Sequence, residues 1–355
     1  MKINDTNFPL IPVLLIFILA YIFLAVRPLE KKLDLKPEWT ISVSEQTAEP
    51  NSDSRKLFTF KTETAMGYYT PDGKIVSFIP LEKKSTISAD FWTVYDRDAE
   101  NTPVFTPQNV QSGTLDKAGF PFFTANGLFV FHPGGASFSR HDTQGKTLWV
   151  HENYAPITAF DSSSAGCAAG YADGNLICLD KEGNVCADFY PGGSDTQIIF
   201  GAALSENGKY CASVSGLHKQ RIVVAEIEND KTKIIYHEYL KDELTEQTLV
   251  DFSSDGKYAF FNTKSGLISV LLNERRSFFI PFKGKILNIA EFGSDDIFYV
   301  LDKKDGTYTV TVLCSGRYNK GSFSFEASSA FLQAGSGSVY VGRDNRISKM
   351  SLNFN

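Results

Sequence analysis

The chain of 355 residues is 43% hydrophobic and 21% charged, with 27 Gly and 14 Pro, a composition that excludes disorder, collagen and coiled coil as descriptions of the whole. Its net charge of -6 and its scattered Lys and Arg offer no broad basic face, so nucleic acid is not expected as a partner. With 29 Phe and 15 Tyr against 3 Met and 3 Trp, the aromatic balance favours strands.

From Phe8 to Val26 the chain carries no charge, close to the roughly 20 apolar residues that cross a hydrocarbon core as a helix. Pro9 and Pro12 fall in its first turns, and Tyr21 with Arg27, Lys31 and Lys32 suits an interfacial end. A cleaved signal peptide is the competing reading. Lys2 is offset by Asp5, no small-x-small site follows, and Arg27-Pro28 stands where cleavage would fall. The sequence therefore reads as a short tail (1–7), a single-pass anchor held in the bilayer by residues 8–26, and a linker (27–55). Lys and Arg after the span favour a cytoplasmic domain by the positive-inside rule. The Ser-, Thr-, Glu-, Asn- and Pro-rich stretch from Lys36 to Arg55 instead resembles the stalk of an envelope protein. The expected location is the inner membrane with a periplasmic domain, orientation being open.

After Arg55 one phrase repeats: an apolar strand end, a tight turn and a second apolar strand. Phe252-Ser-Ser-Asp255-Gly256-Lys-Tyr258 is its clearest copy, and Leu204-Ser-Glu-Asn207-Gly208-Lys-Tyr210 nearly duplicates it. Phe123 to Phe131 and Tyr69 to Val76 repeat the turn, where Asn-Gly and Asp-Gly supply the positive φ of hairpins. Weaker copies start at Phe160, Phe292 and Leu332. The seven anchors lie 37 to 54 residues apart, near the roughly 40 to 50 of a four-stranded propeller blade. Too little chain follows Leu332 to complete a last blade. The alternation of residues 56–62 (KLFTFKT) is assigned the missing outer strand, because a closed ring leaves no open blade interface. The expected fold is an all-β, seven-bladed β-propeller over residues 56–355, preceded by the single transmembrane helix. Six or eight blades stay open, since the 54-residue first spacing has room for insertions.

The phrases FSSDGKYAFF and LSENGKYCASV resemble the strand-turn-strand signature of WD-repeat-like propellers. His141 to Trp149 and Gly170 to Gly183 are similar to the quinoprotein-like repeat, in which an Asp-x-x-x-Gly-Lys turn leads to an outer-strand Trp. That superclass contains pyrroloquinoline-quinone dehydrogenases and the non-enzymatic scaffold of the outer-membrane barrel-assembly machine. The dehydrogenases' tandem-Cys ring and calcium site have no counterpart placed here, so the resemblance implies a non-enzymatic member.

Residue chemistry agrees with that expectation. The five His never fall at helical zinc spacing, and Cys167, Cys178 and Cys186 stand among apolar strand residues that suit core packing. No Gly-x-Ser-x-Gly elbow or phosphate-cradling loop occurs, so no catalytic, cofactor or metal residue is assigned. Tyr154, Tyr190, Phe279 and Tyr318, aromatics near turns, are the candidate protein-interface residues. The function expected is a membrane-anchored, protein-binding scaffold or accessory subunit of a bacterial envelope complex, with no small-molecule substrate. An enzyme or ligand sensor with a central-channel site is the alternative.

Overall fold

Hairpins form where the sequence places its Asp-Gly and Asn-Gly pairs. Gly73, Gly208 and Gly256 take φ of +83, +68 and +68, values that side chains with a Cβ rarely adopt. The computed structural model describes residues 14–18, 20–21, 33–43, 57–96, 100–228, 231–293, 296–335 and 337–354. In it, antiparallel hairpins assemble into eight sheets, seven of four strands and one of three.

The first described strands, in chain order, are Phe58–Lys61, Lys84–Ile87, Phe120–Thr124, Ile157–Ser163, Ile199–Leu204, Val250–Phe252, Lys285–Phe292 and Ala330–Gly335, opening blades one to eight, the last seven being the inner strands of their blades. Apolar side chains from each blade meet those of the next. Eight clusters result, each drawn from two neighbouring blades, including Phe58, Tyr69, Tyr340 and Ile347 between blades one and eight. Eight blades with eight packed interfaces make a closed ring.

The count corrects the seven blades expected. Six of the seven anchors mark the first hairpin of blades three to eight, and Tyr69 marks the second hairpin of blade one. The overlooked blade two lies inside the longest spacing. Its first hairpin turns at Ser88 to Phe91, where Ser88 N-H donates to Phe91 O at 2.8 Å without a glycine to announce it.

An N-terminal strand does close the ring, but it is not residues 56–62. Leu33–Ser42, part of the expected linker, pairs with the last strand, Arg346–Phe354, as the outer strand of blade eight. Phe58–Lys61 is the first described strand of blade one. A bulge between Pro37 and Trp39 turns the closing strand over. Leu35 therefore packs towards blade seven, whereas Trp39 and Ile41 pack towards blade one. The Trp39 ring covers Gly73 and would crowd a Cβ there, at 3.2 Å. Glu38, at the bulge, pairs with Lys349 at 2.7 Å.

The three-stranded blade one, Phe58–Lys61, Ala65–Tyr69 and Ile75–Pro80, has a topological cost. Three passes leave the chain at the opposite face from four, and the link Leu81 to Lys83 is too short to cross the disc. Phe58–Lys61 accordingly runs counter to the neighbouring inner strands and in the sense of their second strands, and Trp39 over Gly73 repeats the contact of Trp149 with Gly183 at the third-to-fourth-strand turn of blade four. Phe58, the first residue of Phe58–Lys61, lies against Gly335 at the far end of blade eight's inner strand. Lys61, its last, donates from Nζ to Ser85 O near the start of blade two's, at 2.6 Å.

The membrane expectation is also corrected. Among the described residues no helix is long and apolar enough to cross a membrane. Helix is described at 14–18 and 20–21 only, whereas a crossing takes an unbroken run of about 20 residues. An uncharged stretch supplies hydropathy without fixing that length of helix, so the single-pass anchor and the inner-membrane location with a periplasmic propeller are withdrawn. Residues 1–13, 19, 22–32 and 44–56, which include the expected tail, Pro9, Pro12, Arg27, Lys31, Lys32 and much of the linker, lie outside the described residues.

Candidate functional site

A cleft of about 300 Å³ opens at the rim between blades five and six. One wall is the end of blade five's outer strand, Lys231–Tyr239, and the other is blade six's outer strand, Arg276–Pro281. Phe279, 55% exposed, stands in it over Leu240, Ile268 and Pro281, and Tyr239, 53% exposed, borders its end. The polar rim is fixed by hydrogen bonds. Glu238 accepts from Tyr236 OH at 2.5 Å and from Ser277 Oγ at 2.8 Å, and Asp242 accepts from Ser265 Oγ at 2.6 Å. Burial, then the Glu238 carboxylate, pushes the Tyr236 hydroxyl up to about 12.

The loop forming the end of the cleft is clamped from below. Gln220, buried, donates from Nε2 to Leu244 O at 2.7 Å and accepts from Leu244 N-H at 2.6 Å, as a neighbouring strand would. An exposed aromatic ring over an apolar floor, with a second at its border and a charged rim held in place, suits an aromatic or aliphatic side chain carried on a polypeptide.

All four predicted interface residues are exposed, Tyr154 fully so. They do not form one patch. Tyr154 and Tyr190 sit in the links leaving the outer strands of blades three and four, which places them on one face of the disc. Tyr318 starts the outer strand of blade seven, at the opposite face, with the Arg317 guanidinium 4.2 Å above its ring. Phe279 alone enters the cleft. Tyr239, which borders the cleft, was missed, although its signal was present: a tyrosine closing an edge strand on the same side as His237.

The central channel differs at its two ends. One mouth holds a cavity of about 460 Å³ faced by Phe120, Phe122, Phe131 and Phe160, with Gln247 Nε2 reaching across from the link between blades five and six to Thr158 O at 2.5 Å. Further along, Asp161 and Asp251 face the bore from blades four and six, near Glu206 and Glu291. Protein crowds both Asp carboxyls although solvent still touches them, and that desolvation, reinforced by the neighbouring carboxylates, pushes each up to about 7. Among the described residues no group of three or more His, Cys, Asp or Glu is arranged to hold a metal ion.

Blade three contains a chain resembling a nucleophile triad. Asp116 Oδ1 lies 3.4 Å from His141 Nδ1, His141 Nε2 lies 2.8 Å from Ser139 Oγ, and Ser139 Oγ lies 2.8 Å from His132 Nε2. His141 Nδ1 also faces Gly145 O at 3.0 Å, so this nitrogen carries the proton. Ser139 must then donate to His141 Nε2 and accept from His132 Nε2. Ser139 is 0% and His141 3% exposed, so no substrate reaches the hydroxyl, and burial holds both imidazoles below their ordinary pKa. The cysteines are packing residues too: Cys178 and Cys211 are buried between blades four and five, and their mutual hydrogen bond followed by burial raises the Cys178 thiol.

Comparison with known proteins agrees with this architecture. A family model described as "beta-propeller protein" matches residues 1–354. An uncharacterized protein of Treponema pallidum (strain Nichols) is 29% identical over 361 residues, covering 99% of this chain and 96% of its own. Among solved structures, BamB from Moraxella catarrhalis aligns with a TM-score of 0.59 at 12% identity, over 90% of this chain and all of its own. The computationally designed Ika8 protein aligns at 0.60 and 13%, over 87% of this chain and 98% of its own.

Proposed function

The chain belongs to the β-propeller protein family, and from that premise we propose that it is a non-enzymatic, protein-binding propeller, a scaffold or accessory subunit of a multiprotein assembly. The cleft between blades five and six carries this reading. Phe279, more than half exposed, stands beside an apolar floor with the equally exposed Tyr239 at its border, the composition in which binding energy concentrates at interfaces. The blades hold the two walls on separate rigid sheets, so little ordering cost attaches to binding.

The reading is tested by replacing both rings, Tyr239→Ser with Phe279→Ser, in the full chain and comparing what each form recovers from cells of its source. Thermal unfolding is expected to move little, because both side chains are exposed. At least one protein recovered by the wild type is expected to fall about tenfold or more, as hot-spot truncation does. An unchanged set of recovered proteins at unchanged stability would remove the cleft as the binding surface.

A further inference from the structure

The rim between blades six and seven carries a patch of charge opposite in sign to the chain as a whole, and two turns build it. Blade six's third and fourth strands, Gly266–Leu271 and Arg276–Pro281, are joined through Arg275, which takes a φ of +52 and donates its N-H to Leu272 O at 3.3 Å. Blade seven's, Thr307–Cys314 and Tyr318–Glu326, are joined through Ser315 and Gly316 at φ of +51 and +60, a tight hairpin closed by Arg317 N-H on Cys314 O at 3.2 Å. A Cβ on Gly316 would lie 2.8 Å from the Tyr258 ring and from Ser269 Oγ, both of blade six, so this turn is seated on its neighbour. Arg276 and Arg317 therefore project from fixed backbone.

Phe278 gathers the two. Residues two apart on a strand share a face, so Arg276, Phe278 and Ile280 point the same way, and Ile280 belongs to the core formed with Phe298 and Leu313 of blade seven. Phe279, between them in sequence, points into the cleft on the other side. The Arg276 guanidinium lies 5.2 Å from the Phe278 ring and the Arg317 guanidinium 4.8 Å from the same ring. Arg317 also stands over Tyr318, which is 48% exposed, and Lys320 Nζ is 5.9 Å from that ring. The chain has more acids than bases, 41 to 35, and next to this patch Lys257 is paired with Asp296. Yet no carboxylate or carbonyl among the described residues accepts from Arg276 or Arg317, whereas Lys83, Lys209, Lys285 and Lys349 each pair with Asp or Glu. Ring contacts steady a guanidinium without using its N-H groups, which keeps its planar fork available to a carboxylate.

We infer that this patch binds an acidic segment of a partner protein: its carboxylates accept from Arg276 and Arg317, and an apolar or aromatic side chain beside them lies on the exposed ring of Tyr318. A nucleic acid or an anionic bilayer fits less well, because the cations are few and the rest of the chain, at a net charge of -6, repels an extended anion. This surface shares no residue with the cleft between blades five and six.

The test uses the full chain and a capped, fluorophore-labelled synthetic peptide, GSDEYEDSG, with its amide counterpart GSNQYQNSG as control. At about 50 mM salt, saturable binding of the acidic peptide is expected, at least tenfold tighter than the control and weakened tenfold or more at about 300 mM. Arg276→Gln with Arg317→Gln removes both charges and is expected to weaken binding tenfold or more, whereas the Tyr239→Ser and Phe279→Ser double variant is expected to bind like the wild type. A benzophenone in place of the peptide's tyrosine is expected to cross-link the wild type within residues 275–278 or 317–320, a readout that needs no variant to fold. Absence of saturable binding, undiminished binding by the Gln variant, loss of binding by the cleft variant, or cross-links confined to other residues would overturn the proposal. So would displacement of the peptide by an equal concentration of inorganic phosphate, which would show a site for any small anion. Phosphatidylglycerol vesicles that sediment the wild type but not the Gln variant would overturn it in favour of a membrane surface, and a concentration-dependent dimer dispersed in the Gln variant would do so in favour of a second copy.

Discussion

A chain shortened to begin at Val43 is expected to unfold on the order of 10 °C or more below one shortened to begin at Leu33, and to aggregate. The two differ only by the closing strand, Leu33–Ser42, whose ladder with Arg346–Phe354 completes blade eight. Its loss strips Leu35 from the core between blades seven and eight, and Trp39 and Ile41 from the core between eight and one. A fully buried large apolar side chain contributes roughly 1.5 to 3 kcal/mol, and these three are half-buried, so together they are worth about 3 to 4 kcal/mol. The ladder itself and the Glu38–Lys349 pair add to that loss. Such a sum is a large part of the roughly 5 to 15 kcal/mol that keeps a domain folded. The exposed edge of Arg346–Phe354 would then be open to pairing with other chains. Thermal unfolding followed by circular dichroism checks this. Equal melting of the two shortened chains would show that the ring holds without its closing strand.

That closing strand also shows where the sequence was readable and where it was not. Repeated turns such as Asp255-Gly256 are local signals, because positive φ is demanded at a fixed place between two apolar strands, and they identified the architecture and most blades. Blade two escaped because its Ser88 to Phe91 turn needs no positive φ and so no glycine. Leu33–Ser42 escaped because the bulge beside Glu38 sends Leu35 to one face and Trp39 to the other, which erases the period of two that marks a strand. The need for a closing strand was legible from the short last blade. Its identity was not, since Phe58–Lys61 has the cleaner alternation. The cleft was legible only in part: Phe279 stood out as an aromatic, but its place beside Leu240 and Glu238 depends on two outer strands brought together by ring geometry. The channel carboxylates were likewise hidden. Asp161 and Asp251 come from blades four and six, and nothing local distinguishes them from turn aspartates.

Those carboxylates set the second large expectation: Asp161→Asn with Asp251→Asn stabilises the protein at pH 8 by about 2 to 4 kcal/mol and leaves it nearly unchanged near pH 4. In the folded ring both carboxyls hold their protons up to about 7, whereas the unfolded chain releases them near the ordinary aspartate value of 3.8. Between those values the native state binds more protons, so stability falls as pH rises from about 4 to about 7 and is level above. A shift of three units corresponds to about 4 kcal/mol, and solvent in the bore reduces each contribution to about 1 to 2 kcal/mol. Asn retains the acceptors that Leu204 N-H meets at 3.3 Å and Phe252 N-H meets at 2.8 Å, so removal of charge is the main change. Glu206 and Glu291 remain, and without Asp161 and Asp251 they face less like charge. His132, His141 and His151 act with the opposite sign, because burial lowers their pKa values. Their contribution is complete above about 6.5 and is lost as pH falls below it. The wild type therefore carries two opposed slopes between about pH 4 and 7, and the double variant should retain only the one that rises with pH. Denaturant unfolding of both proteins at intervals from pH 4 to 8 measures the difference, which should open from near zero to a plateau above pH 7. A difference that did not change with pH would mean that both carboxyls ionise in the folded ring as freely as in the unfolded chain.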